Sequence, residues 1–179
     1  YEMVSRYHDE QIQVVFVANG VFQPYFIDIV HFHGLEEQVA VCSFSDPLSR
    51  LAYASADFLF MPSSFEPCGL PQMIGPKYGT LPVAHDTGGI HDTVEHLDVA
   101  NNRGNGFLFE VLDGPGLMWA VDQAIGFYRQ PLAVKQPQIR RIMEQSAARF
   151  NHEVTARQYI DLYEKMLHRP LVSHSSDIA

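Results

Sequence analysis

Short apolar runs alternate with stretches of helical apolar spacing along the first 110 or so residues of the chain. Each run is nearly continuous and stops at a turn-forming residue, which is typical of a strand buried on both faces of a parallel sheet. The runs predict strands at 13–18, 38–42, 57–61, 81–84 and 106–109. The stretches between them predict helices at 23–32, 47–55 and 69–78 and a short helix near Gly89, with Ser45-Asp46 as the N-cap of the second.

The pattern changes after the fifth run. Residues 114–128, 135–149 and 152–168 predict three helices with no strand between them. Strands and helices that alternate in this way indicate an α/β domain, a Rossmann-like parallel sheet flanked by helices, here followed by C-terminal helices. We therefore predict one domain over residues 1–169, and a flexible polar tail over 170–179.

Composition restricts the classes of partner. The chain has 179 residues, 46% hydrophobic and 18% charged, with a net charge of -9 and a pI near 5.3. An acidic surface repels nucleic acid and anionic lipid, so neither is an expected partner, although a local pocket can still bind a small anion. Two cysteines and no apolar run of about 18 residues favour a cytoplasmic protein without a membrane span.

The loop after the third predicted strand carries candidate chemistry. Glu66-Pro67-Cys68-Gly69-Leu70 joins a strand to a helix, whose first N–H groups lack partners within the helix. Gly69 lets a ligand approach the backbone, and the Glu66 carboxylate can accept hydrogen bonds from sugar hydroxyls. The alternative is that Glu66 only caps the helix and Gly69 only makes the turn.

Two further positions lie at strand ends. Thr87-Gly88-Gly89 precedes a helix start and suits a diphosphate oxygen held by backbone amides, although these three residues alone favour an ordinary Gly-Gly turn. Phe44 follows the second predicted strand, where it either stacks on a nucleotide base or belongs to the core.

Metal and nucleophile chemistry have weak support. The nine histidines show no helical zinc-site spacing, so we expect no metal and no cofactor. Cys68 near a helix start is a candidate nucleophile, but no base partner is identifiable and a small packing residue is the simpler interpretation.

The run Ser63-Ser64-Phe65-Glu66-Pro67-Cys68-Gly69-Leu70-Pro71-Gln72, followed by Lys77-Tyr78-Gly79-Thr80-Leu81-Pro82 and by Thr87-Gly88-Gly89-Ile90-His91-Asp92-Thr93-Val94, resembles bacterial glycogen synthases and plant starch synthases. The resemblance extends from about residue 14 to residue 167. That family consists of retaining GT-B glycosyltransferases, which have two Rossmann-like domains facing a cleft. The resemblance implies that this chain is the C-terminal, donor-binding half. The implied reaction moves glucose from ADP-glucose, or UDP-glucose, to the non-reducing end of an α-1,4-glucan.

The resemblance also implies residue roles. Glu66 would be the catalytic-site carboxylate that contacts the donor glucose, beside the backbone of Cys68, Gly69 and Leu70. The distal phosphate would lie at Thr87, Gly88 and Gly89, and the base would stack on Phe44. The expected location is the cytoplasm, or a plastid if the source is a plant.

The chain departs from the family pattern in two places. Ile74 occupies the position at which many related transferases carry a ribose-binding glutamate. The basic motif that neutralises the diphosphate, and the acceptor-binding N-terminal domain, are expected upstream of residue 1, so these residues alone are expected to be inactive. Two alternatives therefore stay open: another retaining nucleotide-sugar glycosyltransferase, or a catalytically inactive nucleotide-binding module.

Overall fold

A computed structural model describes residues 1–7 and 12–168 of the chain. The strands within these residues are β1 (Val14–Val17), β2 (Val39–Cys42), β3 (Phe58–Met61), β4 (Leu81–His85) and β5 (Phe107–Phe109). The helices are α1 (Glu2–Arg6), α2 (Gln23–His33), α3 (Asp46–Ser55), α4 (Pro71–Tyr78), α5 (Gly88–Thr93), α6 (Gly114–Tyr128), α7 (Leu132–Arg149) and α8 (His152–Leu167).

The structure confirms the predicted order of strands and helices. The bounds differ by at most three residues, and the largest difference is the start of α7 at Leu132 where 135 was predicted. The sequence pattern gave no indication of α1, which has five residues. The tail predicted for 170–179 lies outside the described residues.

All described strand pairs are parallel, as predicted, but they form two separate sheets. One contains β1 and β2, and the other has the order β3-β4-β5. The sequence predicted one continuous sheet. Parallel pairing of sequential strands therefore holds within each half of the fold, while β1 and β2 pair with none of the other described strands.

The core lies around β4. Its first four residues are buried, with Leu81 1% and Val83 0% exposed. Leu81 and Val83 pack with β5 and α6, while Ala84 packs on the opposite side with Ile90 and Val94. Since successive side chains of a strand point to opposite faces, β4 is covered on both faces and is the centre of its sheet.

The first helix contacts α6, a helix more than 100 residues further along the chain. The Arg6 guanidinium donates to both Asp122 carboxylate oxygens at 3.1 Å, and the Tyr7 hydroxyl also donates to Asp122. Asp122 belongs to α6, so α1 lies on the α6 face. α4 packs on β3, β4 and α7, on the opposite face.

This arrangement determines where a ligand site can form. Parallel strands bring their carboxyl ends to one edge of the sheet, where ligands bind in open α/β folds. The segment after β3 contains Glu66 to Leu70, and the segment after β4 contains Thr87 and Gly88, so both predicted loops begin at that edge.

Candidate functional site

The two predicted loops are in direct backbone contact. The Gly89 N–H donates to the Glu66 carbonyl at 2.8 Å. A Cβ atom at Gly88 would lie 2.1 Å from the Glu66 carbonyl oxygen, and one at Gly89 would lie 2.1 Å from that of Cys68. Both glycines are therefore required by the approach of one loop to the other, which is neither of the two interpretations that the sequence offered.

This contact removes one backbone amide from the predicted phosphate site. The Gly89 amide is occupied by Glu66, so the Gly89 position serves the packing of the loops. Thr87 is the N-cap of α5, but its side chain makes no capping hydrogen bond. Thr87 is half-buried and Gly88 is exposed.

The Gln72 side chain connects the two loops by hydrogen bonds. It is 0% exposed, and its Nε2 donates to the Cys68 carbonyl at 2.8 Å and to Thr93 Oγ1 at 3.2 Å. Thr93 Oγ1 in turn donates to the Gly89 carbonyl. The sequence analysis missed this role, although a polar residue in the first turn of a helix that begins at a site loop is a detectable signal.

Gly69 makes room for this glutamine. Its φ is +72°, a left-handed conformation that favours glycine, and a Cβ there would lie 2.4 Å from Gln72 Oε1. Gln72 Oε1 is buried and accepts no hydrogen bond from any of the residues that the structure describes. The turn at Gly69 is thus set by the buried glutamine as well as by the direction of the chain.

A cleft of about 650 Å³ opens beside the first loop. It brings together four of the predicted site residues, namely Phe44, Glu66, Gly69 and Leu70. The other residues that line it come from α3 and α4 and their starts: Asp46, Ser49, Arg50, Tyr53, Pro71, Ile74 and Tyr78. Cys68, Thr87, Gly88 and Gly89 do not line it, although they belong to the two loops in contact beside it.

Phe44 does not belong to the core. Its residue is 56% exposed at the cleft, and its backbone N–H donates to Asn19 Oδ1 at 3.0 Å. The structure therefore overturns the interpretation of Phe44 as a core residue. An aromatic ring held at the wall of a cleft is available to stack on a planar ligand.

Glu66 is not a helix cap. The N-cap of α4 is Leu70, without a side-chain capping bond, and the helix begins at Pro71. The half-buried Glu66 side chain receives a hydrogen bond from the Ser63 hydroxyl to Oε2 at 3.4 Å. Its other carboxylate oxygen is free of any hydrogen bond that the structure describes, so the carboxylate retains accepting capacity toward the cleft.

The cleft has mixed charge. Glu66 and Asp46 are acidic, and Arg50 is the basic residue among the described lining, with its Nε 3.0 Å from Asp46 Oδ2. Burial raises the pKa of the Tyr53 phenol above its ordinary value, so this group remains protonated at neutral pH. Arg50 and Tyr53 were both missed by the sequence analysis, because helical spacing alone does not show which face of α3 meets the cleft.

Within the described ranges, no group of three or more His, Cys, Asp or Glu side chains is placed to hold a metal ion. His85, at the end of β4, directs its two ring nitrogens to backbone carbonyls of Ser63 and Glu110 at 2.7 and 3.3 Å. The Cys68 Sγ lies 3.8 Å from the Gly69 carbonyl. No helix of the described part is both long and apolar enough to cross a bilayer.

Comparison with known proteins supports the family that the sequence resembles. Glycogen synthase of Geobacillus thermodenitrificans is 34% identical over 169 residues, a match that covers 93% of this chain and 33% of the relative. The chain thus spans about a third of the length of the curated relatives it matches. The predicted resemblance to glycogen and starch synthases is confirmed.

Solved structures share the fold. The catalytic domain of starch synthase IV from Arabidopsis thaliana, bound to ADP and acarbose, superposes with a TM-score of 0.68 at 24% identity, covering 89% of this chain and 39% of that one. An Anabaena protein in complex with UDP and glucose superposes with a TM-score of 0.70 at 20% identity, covering 91% and 43%. The family model described as "Glycosyl transferases group 1" matches residues 2–125, and the chain belongs to that family.

Proposed function

We propose that the cleft beside β3 binds the nucleotide-sugar donor of a glycogen or starch synthase reaction, with ADP-glucose as the first choice and UDP-glucose as the second. The observation that carries this proposal is the placement of Phe44, Glu66, Gly69 and Leu70 on one cleft. An exposed aromatic ring can stack on a base, and a carboxylate can accept hydrogen bonds from a sugar. A glycine turn allows a ligand to approach the backbone closely.

Each group has a distinct task in this proposal. The Phe44 ring stacks on the base, since it is exposed at the wall of the cleft. Glu66 accepts hydrogen bonds from hydroxyls of the donor glucose and holds the sugar while its bond to the phosphate loosens. The backbone of Cys68, Gly69 and Leu70 lies beside that sugar. Thr87 and Gly88 hold the distal phosphate.

The leaving nucleoside diphosphate sets the main electrostatic demand. Its developing negative charge needs preorganised donors or cations. Arg50 is exposed and held by a surface ion pair with Asp46, an interaction weak enough to be exchanged for a phosphate or ribose contact. Further positive charge has to come from outside the described residues, so these residues alone are proposed to bind donor weakly and to transfer nothing.

The acceptor and the stereochemistry are proposed from the resemblance to glycogen and starch synthases. Glycogen synthases match nearly all of this chain, but the chain covers a third of their length. We therefore propose that the complete enzyme adds glucose, with retention of configuration and without a metal, to the non-reducing end of an α-1,4-glucan held by another domain. The proposed location is the cytoplasm, or a plastid in a plant.

Calorimetric titration of the 179-residue chain with ADP-glucose, UDP-glucose and GDP-mannose tests the site. We expect weak binding that is strongest for ADP-glucose and that weakens at least about tenfold in Phe44→Ala and in Glu66→Ala, a loss of about 1.4 kcal/mol each. Phe65→Ala and Glu144→Ala are the matched controls, because both residues are exposed and neither lines the cleft. Equal losses in the controls, or preference for GDP-mannose, would reject the proposal.

Transfer is assayed separately. A chimera in which this chain replaces the matching third of the Geobacillus enzyme is given ADP-glucose and glycogen, and incorporated glucose is counted. Incorporation that disappears in Glu66→Ala supports the synthase. Donor binding without incorporation supports a nucleotide-binding module that has lost catalysis. Incorporation into an acceptor other than glucan supports a different transferase of the same family.

A further inference from the structure

Helix α2 carries a row of exposed apolar side chains along its solvent-facing side. Its inner side is identified by Val30, which is buried, and by Phe26, whose ring stacks on that of Phe16 in β1 with centroids 4.7 Å apart. Successive residues of a helix are rotated by about 100°, so residues three, four and seven positions apart share one side. Four residues with this spacing form the exposed row, which we call the α2 stripe: Phe22 67%, Tyr25 64%, Ile29 44% and Phe32 85% exposed.

The spacing of the α2 stripe is that of a helix–helix seam. Positions 22, 25, 29 and 32 are separated by three, four and three residues, which is the a/d alternation of a heptad repeat. A helix at the surface of a monomer normally places polar residues on its outer side. The stripe contains no charged residue, and the rings of Phe22 and Tyr25 lie side by side with centroids 6.2 Å apart. This side of α2 therefore has the pattern of a buried helix face.

The apolar area around the stripe is large enough for a stable interface. Exposed Val21 and partly exposed Phe26 adjoin the four stripe residues. With about 200 Å² for an aromatic side chain and about 100 Å² for an aliphatic one, their exposed portions together amount to about 600 Å². A specific interface takes about 800 Å² from each partner, and a little over half of that area is apolar. The patch can therefore supply the apolar part of such an interface by itself.

The order of the stripe residues fits a second copy of this chain. A twofold interface brings the same patch of both copies together, so the patch has to be complementary to itself. The three-four-three spacing is the same in both directions. In an antiparallel pair of α2 helices, Phe22 therefore meets Phe32 of the second copy, and Tyr25 meets Ile29 of the second copy. Opposed helix dipoles favour this direction of pairing.

The charges of α2 disfavour a lipid surface as the occupant. Helices that lie on a membrane carry Lys and Arg on their polar side, whereas α2 contains neither residue. The chain has a net charge of -9, which an anionic membrane repels. Two copies also repel each other at long range, but salt screens this repulsion beyond about 8 Å under physiological conditions. An uncharged seam thus suits contact between two acidic chains.

We propose that two copies of this chain associate through the α2 stripe, as an antiparallel helix pair around a twofold axis. The association buries the exposed aromatic rings of both copies without bringing charged residues of the stripe together, because the stripe has none. The inference goes beyond the proposed function, since oligomeric state is measured without donor or acceptor.

Sedimentation velocity of the 179-residue chain tests the interface between about 1 and 100 μM, a range that brackets a micromolar Kd. We expect a monomer–dimer equilibrium. Tyr25→Glu should raise its Kd at least about a hundredfold, since the substitution occurs twice across a twofold interface and each occurrence costs about tenfold. Leu132→Glu is the matched control, because Leu132 is 67% exposed at the start of α7 and should leave the Kd unchanged.

A pair of complementary variants tests the antiparallel pairing. Tyr25→Glu and Ile29→Lys should each be monomeric at about 100 μM, because each places an unpaired charge in an apolar seam. Their equimolar mixture should form dimers, since the introduced carboxylate of one chain meets the introduced ammonium of the other. Both positions are exposed in the single chain, so each variant should keep the far-UV circular dichroism of the parent. A mixture that stays monomeric overturns the proposal.

Four further outcomes overturn the proposal. The first is a parent chain that remains monomeric throughout the concentration range, and the second is a dimer that Tyr25→Glu leaves intact. The third is a monomeric chain that sediments with phosphatidylcholine vesicles and loses this ability in Tyr25→Glu, which identifies lipid as the occupant. The fourth is a monomeric chimera with the Geobacillus enzyme, which shows that other residues of the enzyme cover the stripe. A Tyr25-dependent dimer of the chimera supports the proposal whether or not the chimera transfers glucose.

Discussion

At the scale of single residues, the most informative position is Gln72. Its side-chain amide is fully buried and donates to both site loops, to Cys68 and through Thr93 to Gly89. Gln72→Glu keeps the shape but replaces the donor by a carboxyl group. We expect a loss of about 2–4 kcal/mol in the free energy of unfolding at pH 7, because a buried carboxylate cannot donate to a carbonyl.

The pH dependence of this variant has a definite sign. Burial raises the pKa of a carboxyl group, so the folded variant binds a proton that the unfolded chain releases near pH 4.3. The stability lost in Gln72→Glu should therefore be partly recovered as the pH falls from 7 toward 4.5, where the protonated carboxyl can donate. Urea unfolding at both pH values measures this, with the exposed Gln158→Glu as control. An equal deficit at both pH values would contradict the assigned donor role.

The sequence predicted the identity of the candidate residues better than their tasks. Glu66 and Phe44 were selected because a carboxylate and an aromatic follow predicted strands, and the folded chain places both at one cleft. Gln72 was missed because its contacts join loops that are distant in sequence. Gly88 and Gly89 were selected as a phosphate site or a turn. Both positions require glycine because a neighbouring loop, which only the folded chain brings close, leaves no room for a Cβ atom.

At the scale of elements, the contact between the loop after β3 and the loop before α5 is decisive for the site. Gly88 has a φ of +48°, and any Cβ there meets the Glu66 carbonyl. Gly88→Ala should push the two loops apart, with a loss of about 2–4 kcal/mol from backbone strain and overpacking. We expect the same variant to weaken donor binding, since Glu66 moves with its loop.

Gly126→Ala is the matched control for this element contact. Gly126 is an exposed residue near the end of α6, and a Cβ there would meet nothing within 4 Å. Alanine at that position should leave stability unchanged or raise it by up to about 1 kcal/mol, through lower entropy of the unfolded chain. Thermal unfolding and calorimetric titration of both variants measure the two effects. Equal stability of Gly88→Ala and Gly126→Ala would show that the loops are not held by this contact.

Element order was predictable because each buried run contains its own signal, but the division into two sheets was not. A run such as 14–17 indicates a strand and does not identify the strand beside it. Partner choice depends on contacts between residues distant in sequence. The separation of the β1-β2 sheet from the β3-β4-β5 sheet therefore became visible only from the ladder of hydrogen bonds in the folded chain.

At the scale of the whole molecule, stability is unevenly distributed. The core clusters draw on β3, β4, β5 and the helices packed against them, whereas β1, β2 and α3 contribute no buried residue. A region with few buried apolar contacts opens at lower free energy than the core. We therefore expect β1 and β2 to open while β3 to β5 remain folded.

Native-state hydrogen exchange of the 179-residue chain measures this difference. The Val83 amide, in a strand that is buried throughout its first four residues, should exchange through global unfolding. The Phe16 amide, which faces β2, should exchange through local opening. The free energy of this opening should be lower than that of global unfolding by about 2 kcal/mol or more. Low concentrations of urea should leave the Phe16 rate nearly unchanged and accelerate that of Val83, because local opening exposes less surface than global unfolding. If both amides follow one urea dependence, the fold is a single cooperative unit. In that case the packing of α3 on β1 stabilises the two-stranded sheet more than the burial of its residues indicates.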